Sequence, residues 1–478
     1  MSAVQPPPSA EALAYRSARG RWVLLATVLG SAMALLDSTV VNVALRQIGR
    51  HLDAGLAQLQ WITNGYLLSL ASLILIGGSL GDRIGRRRVF TVGVVWFALA
   101  SALCAVAQSP VQLILARILQ GIGAALLTPG SLALIQSSFQ RADRGRTIGA
   151  WAGLGGIAAA VGPLVGGWLV QVATWRWVFL LNLPLAAVTV VVTQRYVPES
   201  RDPQSRRRFD LVGAGLTVLA LAGITFALIE MGTMPPAPVA VAGGVGAAAA
   251  VAFVAWERGN PDAMVPLGLF TSRQFSAANG MTLLVYAALG AVLFFLVLQL
   301  QTAAGWSPLQ AGLATVPITV VMLLLSSRGG ALAARIGPRL PMALGPIVCA
   351  AGVALLTGVG AGASYWRDVF PGVLVFGFGL VLLVAPLTST VLAAAPEHRA
   401  GVASGINNAV ARAGSLLAVS ALPAAVGLSG DDYQRPDVFS AGYDRALWAC
   451  AALLVLGGVV AGVLVRNARP PSSAVGGN

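Results

Sequence analysis

Gly78-Ser79-Leu80-Gly81-Asp82-Arg83-Ile84-Gly85-Arg86-Arg87-Arg88 is the stretch whose reading decides the fold. It passes from small and apolar positions into one acid and four arginines set around Gly85. An apolar run (57–80) ends at this stretch, and another begins at Val89. A turn so short and charged, between segments of membrane-spanning length, lies at a bilayer surface, because the hydrocarbon admits only backbone that satisfies its own polar groups. Gly85 permits a tight reversal, and Asp82 can pair with Arg83, Arg86 or a nearby helix end. A worn copy, Gly330-Ala-Leu-Ala-Ala334-Arg335-Ile-Gly337-Pro-Arg339, follows 252 residues downstream with Ala334 in place of the acid. Two copies of one charged turn point to a duplicated transporter half.

Composition supports a polytopic membrane protein: 57% of residues are hydrophobic and 10% charged, where soluble chains carry about 25% charged residues. All 31 basic residues are arginine. Without a lysine there is no Walker A loop, hence no encoded ATPase, and no Schiff-base chemistry with pyridoxal phosphate or retinal. Uphill transport then draws on an ion gradient or a partner subunit, with no cofactor. His51 and His398 are far apart and Cys104, Cys349 and Cys450 fall in different spans, so the sequence offers neither metal-ligand spacing nor a disulfide framework. The cysteines read as small apolar packing residues. The net charge of +14 sits on arginines in short loops between spans, a distribution that argues against nucleic acid as a partner. An Arg-only, Ala/Gly-rich composition points to a bacterial source.

Fourteen spans are expected, the first over 22–45, the eleventh over 341–362 and the last over 445–466. Residues 1–21, with Pro6-Pro7-Pro8, read as a disordered cytoplasmic tail. Arg16, Arg19 and Arg21 precede an apolar stretch that continues to Leu45, which reads as an uncleaved signal anchor. With the N-terminus inside, 23 arginines fall in cytoplasmic tails and loops, six in outer loops, and Arg117 and Arg412 within spans. The positive-inside rule therefore places both termini in the cytoplasm. Because the Gly78 turn follows span two and its copy follows span ten, two six-helix halves fit only with spans seven and eight inserted between them. Asp143-Arg144-Gly145 and His398-Arg399-Ala400, at an offset of 255, repeat the same register. The expected organisation is a six-helix bundle over 22–196, a loop and two inserted helices over 197–275, a second bundle over 276–466, and a cytoplasmic tail over 467–478.

Ionisable groups inside spans cost about 2.5–3.5 kcal/mol even on lenient insertion scales, so their default reading is functional. Asp37 lies well inside span one, with Ser38 and Asn42 on a shared helix face. A buried carboxylate of this kind can bind a proton in one access state and release it in another. Arg117 has no acid within its own span, while Gln120, Gly121 and Ala124 share its face. Its partner must come from another helix, a cavity or the substrate, and Asp37 is the plausible source. Span five carries Gly162-Pro163-Leu-Val-Gly166-Gly167, where proline removes a donor and glycines permit bending and close packing. Arg412 sits about twelve residues into span thirteen, too deep to snorkel comfortably, with Asn408 one turn earlier. Glu230 reads as an interfacial acid, and Trp175-Arg176-Trp177 as an aromatic belt.

Together these stretches, with Leu36–Leu45, Trp175–Pro184, Gly305–Leu313 and Gly401–Leu417, resemble the fourteen-spanner drug–proton antiporter branch of the major facilitator superfamily over essentially the whole of 16–466. The resemblance implies an all-α major facilitator fold in the cytoplasmic membrane. It further implies proton coupling at Asp37 and Arg117, and a cytoplasmic gate at Gly78, Asp82, Arg83, Gly85, Arg86 and Arg87. An exporter motif falls at Gly162, Pro163, Gly166 and Gly167. Asn42, Gln120, Asn408 and Arg412 are candidates to line the cavity. The sequence departs from the pattern at Ala334 and at Ala413. The expected function is proton-coupled efflux of amphiphilic small molecules by a single chain, with a metabolite importer or facilitator as the alternative. A membrane enzyme built on Asp431 and Asp432, or a non-transporting sensor, is more remote.

Overall fold

A computed structural model describes residues 12–201, 209–396 and 399–467. His398, part of the second repeat echo, lies outside them. Among the described residues fourteen helices follow one another: α1 (Ala18–Leu52), α2 (Leu56–Ile84), α3 (Arg86–Val106), α4 (Pro110–Ser138), α5 (Arg141–Val172), α6 (Arg176–Tyr196), α7 (Leu211–Glu230), α8 (Pro236–Gly259), α9 (Arg273–Thr302), α10 (Pro308–Ile336), α11 (Arg339–Ala354), α12 (Tyr365–Ala393), α13 (Ala400–Ala425) and α14 (Pro436–Leu464). A brief break at Leu181 divides α6, and α12 opens with a π-helical turn over Tyr365–Val369. Twelve of the helices are long and apolar enough to cross a membrane. The exceptions are α11, which is short, and α13, which carries Ser404, Asn407, Asn408, Arg412 and Ser415.

Several boundaries differ from the sequence expectation: α1 runs on to Leu52 instead of ending at 45, α14 begins at Pro436 instead of 445, and two more differ for visible local reasons. Helix α1 begins at Ala18, inside the stretch expected to be disordered, because the Ser17 hydroxyl caps it by accepting the Gly20 N–H at 3.0 Å. Leu13 is fixed as well, through a single backbone bridge to Phe139. At its other end α1 closes on Asp53, whose positive φ of 52° suits a short polar residue better than a branched one. Helix α11 stops at Ala354 instead of running to 362, because Gly358 and Gly362 take φ of 77° and 73° and carry the chain out of helical geometry.

The helix pairings repeat at a step of eight helices. In the first bundle α2 and α3 pack on α4, α1 packs on α5 and α6, and α3 packs on α6. In the second, α10 and α11 pack on α12, α9 on α13 and α14, and α11 on α14. The seam between bundles repeats too, with α5 against α10 and α13 against α2. This is the pattern of a duplicated unit with one hairpin, α7–α8, inserted. That hairpin lies over the seam, with α7 touching both α2 and α13. Trp61 of α2 donates to Glu230 at 2.9 Å, so the acid expected to be merely interfacial ties the hairpin to the first bundle. At the opposite end Asp210 caps α7 by accepting from Gly213 and from the Trp256 indole, both at 2.8 Å. Burial works against its charge, yet these donors hold its carboxyl below the usual range.

The outer surface is apolar: Leu99, Leu115, Val191 and Leu324 are each more than half exposed. So large an apolar exterior has no soluble counterpart, whereas in a bilayer it meets lipid. Cys104, Cys349 and Cys450 are free and buried, as packing residues would be.

Candidate functional site: a buried charge pair and its neighbouring seam

Asp37 and Arg117 meet inside the first bundle. The two side chains are 0% and 1% exposed, and Arg117 Nη1 lies 2.5 Å from Asp37 Oδ2. The carboxylate is otherwise caged by donors. Gln120 Nε2 reaches Asp37 Oδ1 at 2.7 Å and Asn182 Nδ2 reaches the same oxygen at 3.3 Å. Both amides also bond Ser101 Oγ, at 2.8 and 3.3 Å. Arg117 is held in turn by the Ile62 carbonyl at 3.1 Å and by the Tyr66 ring, whose centroid lies 4.4 Å from its guanidinium carbon. Side chains and backbone from α1, α2, α3, α4 and α6 thus converge on one ion pair. Buried pairs are tolerable only when the remaining donors and acceptors are satisfied, and here they largely are.

The other expected site residues fall in different places. Gln120, expected to line a cavity, is instead fully buried in the Asp37 cage. Asn42 is only partly exposed, and its buried Oδ1 has no partner among the described residues. Asn408 and Arg412 share the wall of a cavity in the second bundle, discussed below. Trp175, expected in an aromatic belt, is buried and edge-on to Phe179 at 6.1 Å. Arg176 lies over its ring at 4.4 Å, and only Trp177 faces outward. Ser101, Tyr66 and Asn182 were not singled out from sequence. The one available signal was an amide, Asn182, directly after the Trp175–Leu181 stretch in an apolar span.

The Gly78–Arg88 turn is organised by a partner the sequence did not indicate. Asp82 and Arg86 form an i,i+4 ion pair at 2.8 Å. Glu199, just past α6, then accepts the Arg87 N–H at 3.1 Å and lies within 3.8 Å of the Arg87 and Arg88 guanidinium groups. Arg86 N–H bonds the Ser200 carbonyl at 2.9 Å, and Arg83 stacks on Phe209 at 4.5 Å. Gly85 takes φ of 123°, and a Cβ there would sit 2.7 Å from the Glu199 carboxylate. The worn copy keeps a positive-φ glycine and uses a neutral acceptor in place of the acid. Gly337 has φ of 86°, and Arg339 N–H bonds the Asn467 side chain at 3.1 Å. Gly85→Ala should therefore cost about 1–3 kcal/mol from strain, lowering the melting temperature by several degrees, whereas Glu199→Gln should cost no more than about 1 kcal/mol, as expected for a partly exposed pair. Scanning fluorimetry of both variants would check this order.

Glycines of span five sit at the seam. A Cβ on Gly162 would lie 2.3 Å from Thr39 Oγ1, and one on Gly166 2.5 Å from Val40, so this face accepts α1 at close range. The opposite side accepts α10: a Cβ on Gly167 would lie 2.6 Å from Leu309 Cα, and one on Gly312 2.3 Å from the Pro163 carbonyl. Hydrogen bonds across the seam include Gln60 Nε2 to the Val419 carbonyl at 2.7 Å, Asn64 Nδ2 to Ser420 Oγ at 2.9 Å and Gln301 Nε2 to the Val43 carbonyl at 3.0 Å. Leu56 N–H meets the Gly430 carbonyl at 2.7 Å, and the Tyr433 hydroxyl donates to the Ala54 carbonyl at 3.0 Å. Among the described residues every such bond lies toward the α1–α2 turn, away from Gly85. The two bundles are latched at that end.

Two repeated six-helix bundles latched at one end, with a caged ion pair inside the first, are the architecture of a secondary transporter and not of an enzyme. The chain belongs to the major facilitator superfamily: the family's model matches residues 27–419. It is 35% identical over 436 residues to the probable actinorhodin transporter of Streptomyces coelicolor, covering 88% of this chain and 73% of that protein. To the methylenomycin A resistance protein of Bacillus subtilis it is 34% identical, covering 92% and 94%. Among solved structures, a POT family transporter in complex with a thioalcohol-conjugated peptide matches with a TM-score of 0.70 at 13% identity, over 92% of this chain and 95% of that one. That last likeness concerns the fold alone.

Proposed function

We propose that this chain is a proton-coupled exporter of amphiphilic small molecules of the antibiotic kind, residing in the cytoplasmic membrane with both termini inside and working as a single chain. The observation that carries the reading is the Asp37–Arg117 pair: a carboxylate wholly enclosed by protein, on α1, which also packs against Gly162 and Gly166 of α5, the helix whose other side meets α10 across the seam. The names of the relatives, a transporter and a resistance protein for antibiotics, support export as the direction.

On this reading the Gly85 end is cytoplasmic and the latched end external, so the conformation is closed outward. Rocking of the bundles about the seam opens the α1–α2 end and gives Asp37 access to external protons. Protonation removes the charge that Arg117 pairs with and frees the cage to rearrange. Substrate leaves in that state, and deprotonation toward the cytoplasm restores the pair. Proton and substrate then oppose each other through one coupling free energy. The acid-paired turn at Gly78–Arg88, docked on Glu199, acts as the cytoplasmic gate.

The test is proton movement in inverted membrane vesicles with an imposed ΔpH. Addition of a transported drug should collapse the gradient. An importer or facilitator would instead raise drug accumulation in cells, and that result would overturn the export reading.

A further inference from the structure

Arg412 is the second arginine within the spans, and unlike Arg117 it has no ion-pair partner among the described residues. It projects from α13 at roughly 18 Å from the start of the helix, partly exposed to a cavity of about 130 Å³. Tyr286 of α9, Thr388 of α12, and Ser404, Asn407 and Asn408 of α13 share the wall, and among the described residues no acid does. Asn407 is fixed by donating to Thr282 Oγ1 at 2.7 Å and to Asn279 Oδ1 at 3.2 Å. Asn408 donates to the Ser404 carbonyl at 3.0 Å, and the Thr388 hydroxyl to the Val384 carbonyl at 3.0 Å. These bonds commit three of the neighbours to the protein itself and leave the guanidinium as the dominant free donor. Asp37 cannot neutralise it here, being enclosed with Arg117.

A lone guanidinium in a low-dielectric interior calls for an anion, and its fork of N–H donors matches an oxyanion with two acceptor atoms. We propose that the Arg412 cavity is the subsite for the acidic group of the transported molecule, so that the preferred cargo is an organic anion, an aromatic carboxylate or acidic phenol, held by Arg412 with the Tyr286 and Ser404 hydroxyls beside it. The volume suits an acidic head group while the remainder of the molecule extends through the open side. This rests on the exporter reading, and it deepens that reading by naming the charge of the substrate. It also separates the two functions between bundles, with the proton on the first and the substrate anion on the second.

The experiment is equilibrium binding of 2-naphthoate and of its neutral methyl ester to the purified full chain. The wild type should bind the acid at least tenfold more tightly than the ester. Arg412→Gln should erase that preference, while a melting temperature within a few degrees of wild type reports that the variant is folded. Arg412→Lys, retaining charge without the fork, should keep part of it. Equal binding of acid and ester by the wild type, binding of neither, or a preference that survives in Arg412→Gln would overturn the subsite. Drug-dependent ΔpH collapse with neutral drugs in inverted vesicles carrying the wild type distinguishes this failure from failure of the exporter reading, which alone predicts that collapse.

Discussion

Asp37→Asn will abolish drug-dependent collapse of ΔpH, reducing it to the background of empty vesicles. Asparagine keeps the shape of the side chain but cannot titrate, and it places an NH₂ group with two donors where the carboxylate offered only acceptors. Asp37 Oδ1 receives Gln120 and Asn182, and Oδ2 receives Arg117. Whichever way the new amide turns, its NH₂ group faces another donor. The variant also leaves the Arg117 guanidinium without a counter-charge, and breaking a buried pair from one side costs about 3–5 kcal/mol. Lost transport could then reflect lost stability. The double variant Asp37→Asn/Arg117→Gln removes both charges together and should recover part of the melting temperature while still moving no protons. Driven efflux persisting in either variant would remove Asp37 from the mechanism.

Gly312→Val will produce the second large effect. At this position a Cβ meets the Pro163 carbonyl oxygen at 2.3 Å and its carbon at 3.0 Å, both backbone atoms with little freedom to yield. Gly167 against Leu309 Cα repeats the close approach of α5 and α10 one step away. Valine must push the two helices apart at the latched end, and the seam bonds there, including Asn64 to Ser420, should break with them. Transport is expected to fall below about one tenth of wild type, because a state that cannot close cannot complete a cycle of alternating access. A reporter cysteine at Ser420, fully buried in the structure, should become severalfold more reactive toward an impermeant maleimide. The native cysteines are all buried and contribute little background. Normal transport with unchanged labelling would show that the seam does not depend on this contact, and Gly312→Ala should give a smaller shift in the same direction.

The pairing of Asp37 with Arg117 was legible because charges are so rare in the spans that each one needs a partner, and few are available. Its cage was not. Gln120, Asn182 and Ser101 are neutral polar residues in apolar helices, and such residues face lipid-buried interiors, cavities or neighbouring helices with no sequence mark to tell these apart. For that reason Gln120 was expected in the cavity and lies instead against the carboxylate. Glu199 escaped notice because it docks on Arg87 from 112 residues away, in the hydrophilic stretch just after α6 where acids are ordinary.

By itself the sequence determined the membrane class, the duplicated architecture with its inserted hairpin, and the short list of charges that matter. Each follows from a strong local cost: apolar length, a charged turn with an obligatory glycine, or an ion in hydrocarbon. Which end of the bundles is latched, which polar residues enclose Asp37, and that Arg412 stands beside a cavity with no ion-pair partner among the described residues were decided only by tertiary structure. Those outcomes depend on rotation and approach of helices that are apolar on nearly every side, so hydrophobic periodicity carries little information about the face each one presents. Close contacts of glycine with backbone across the seam, and not any pattern along the chain, settle how the helices meet.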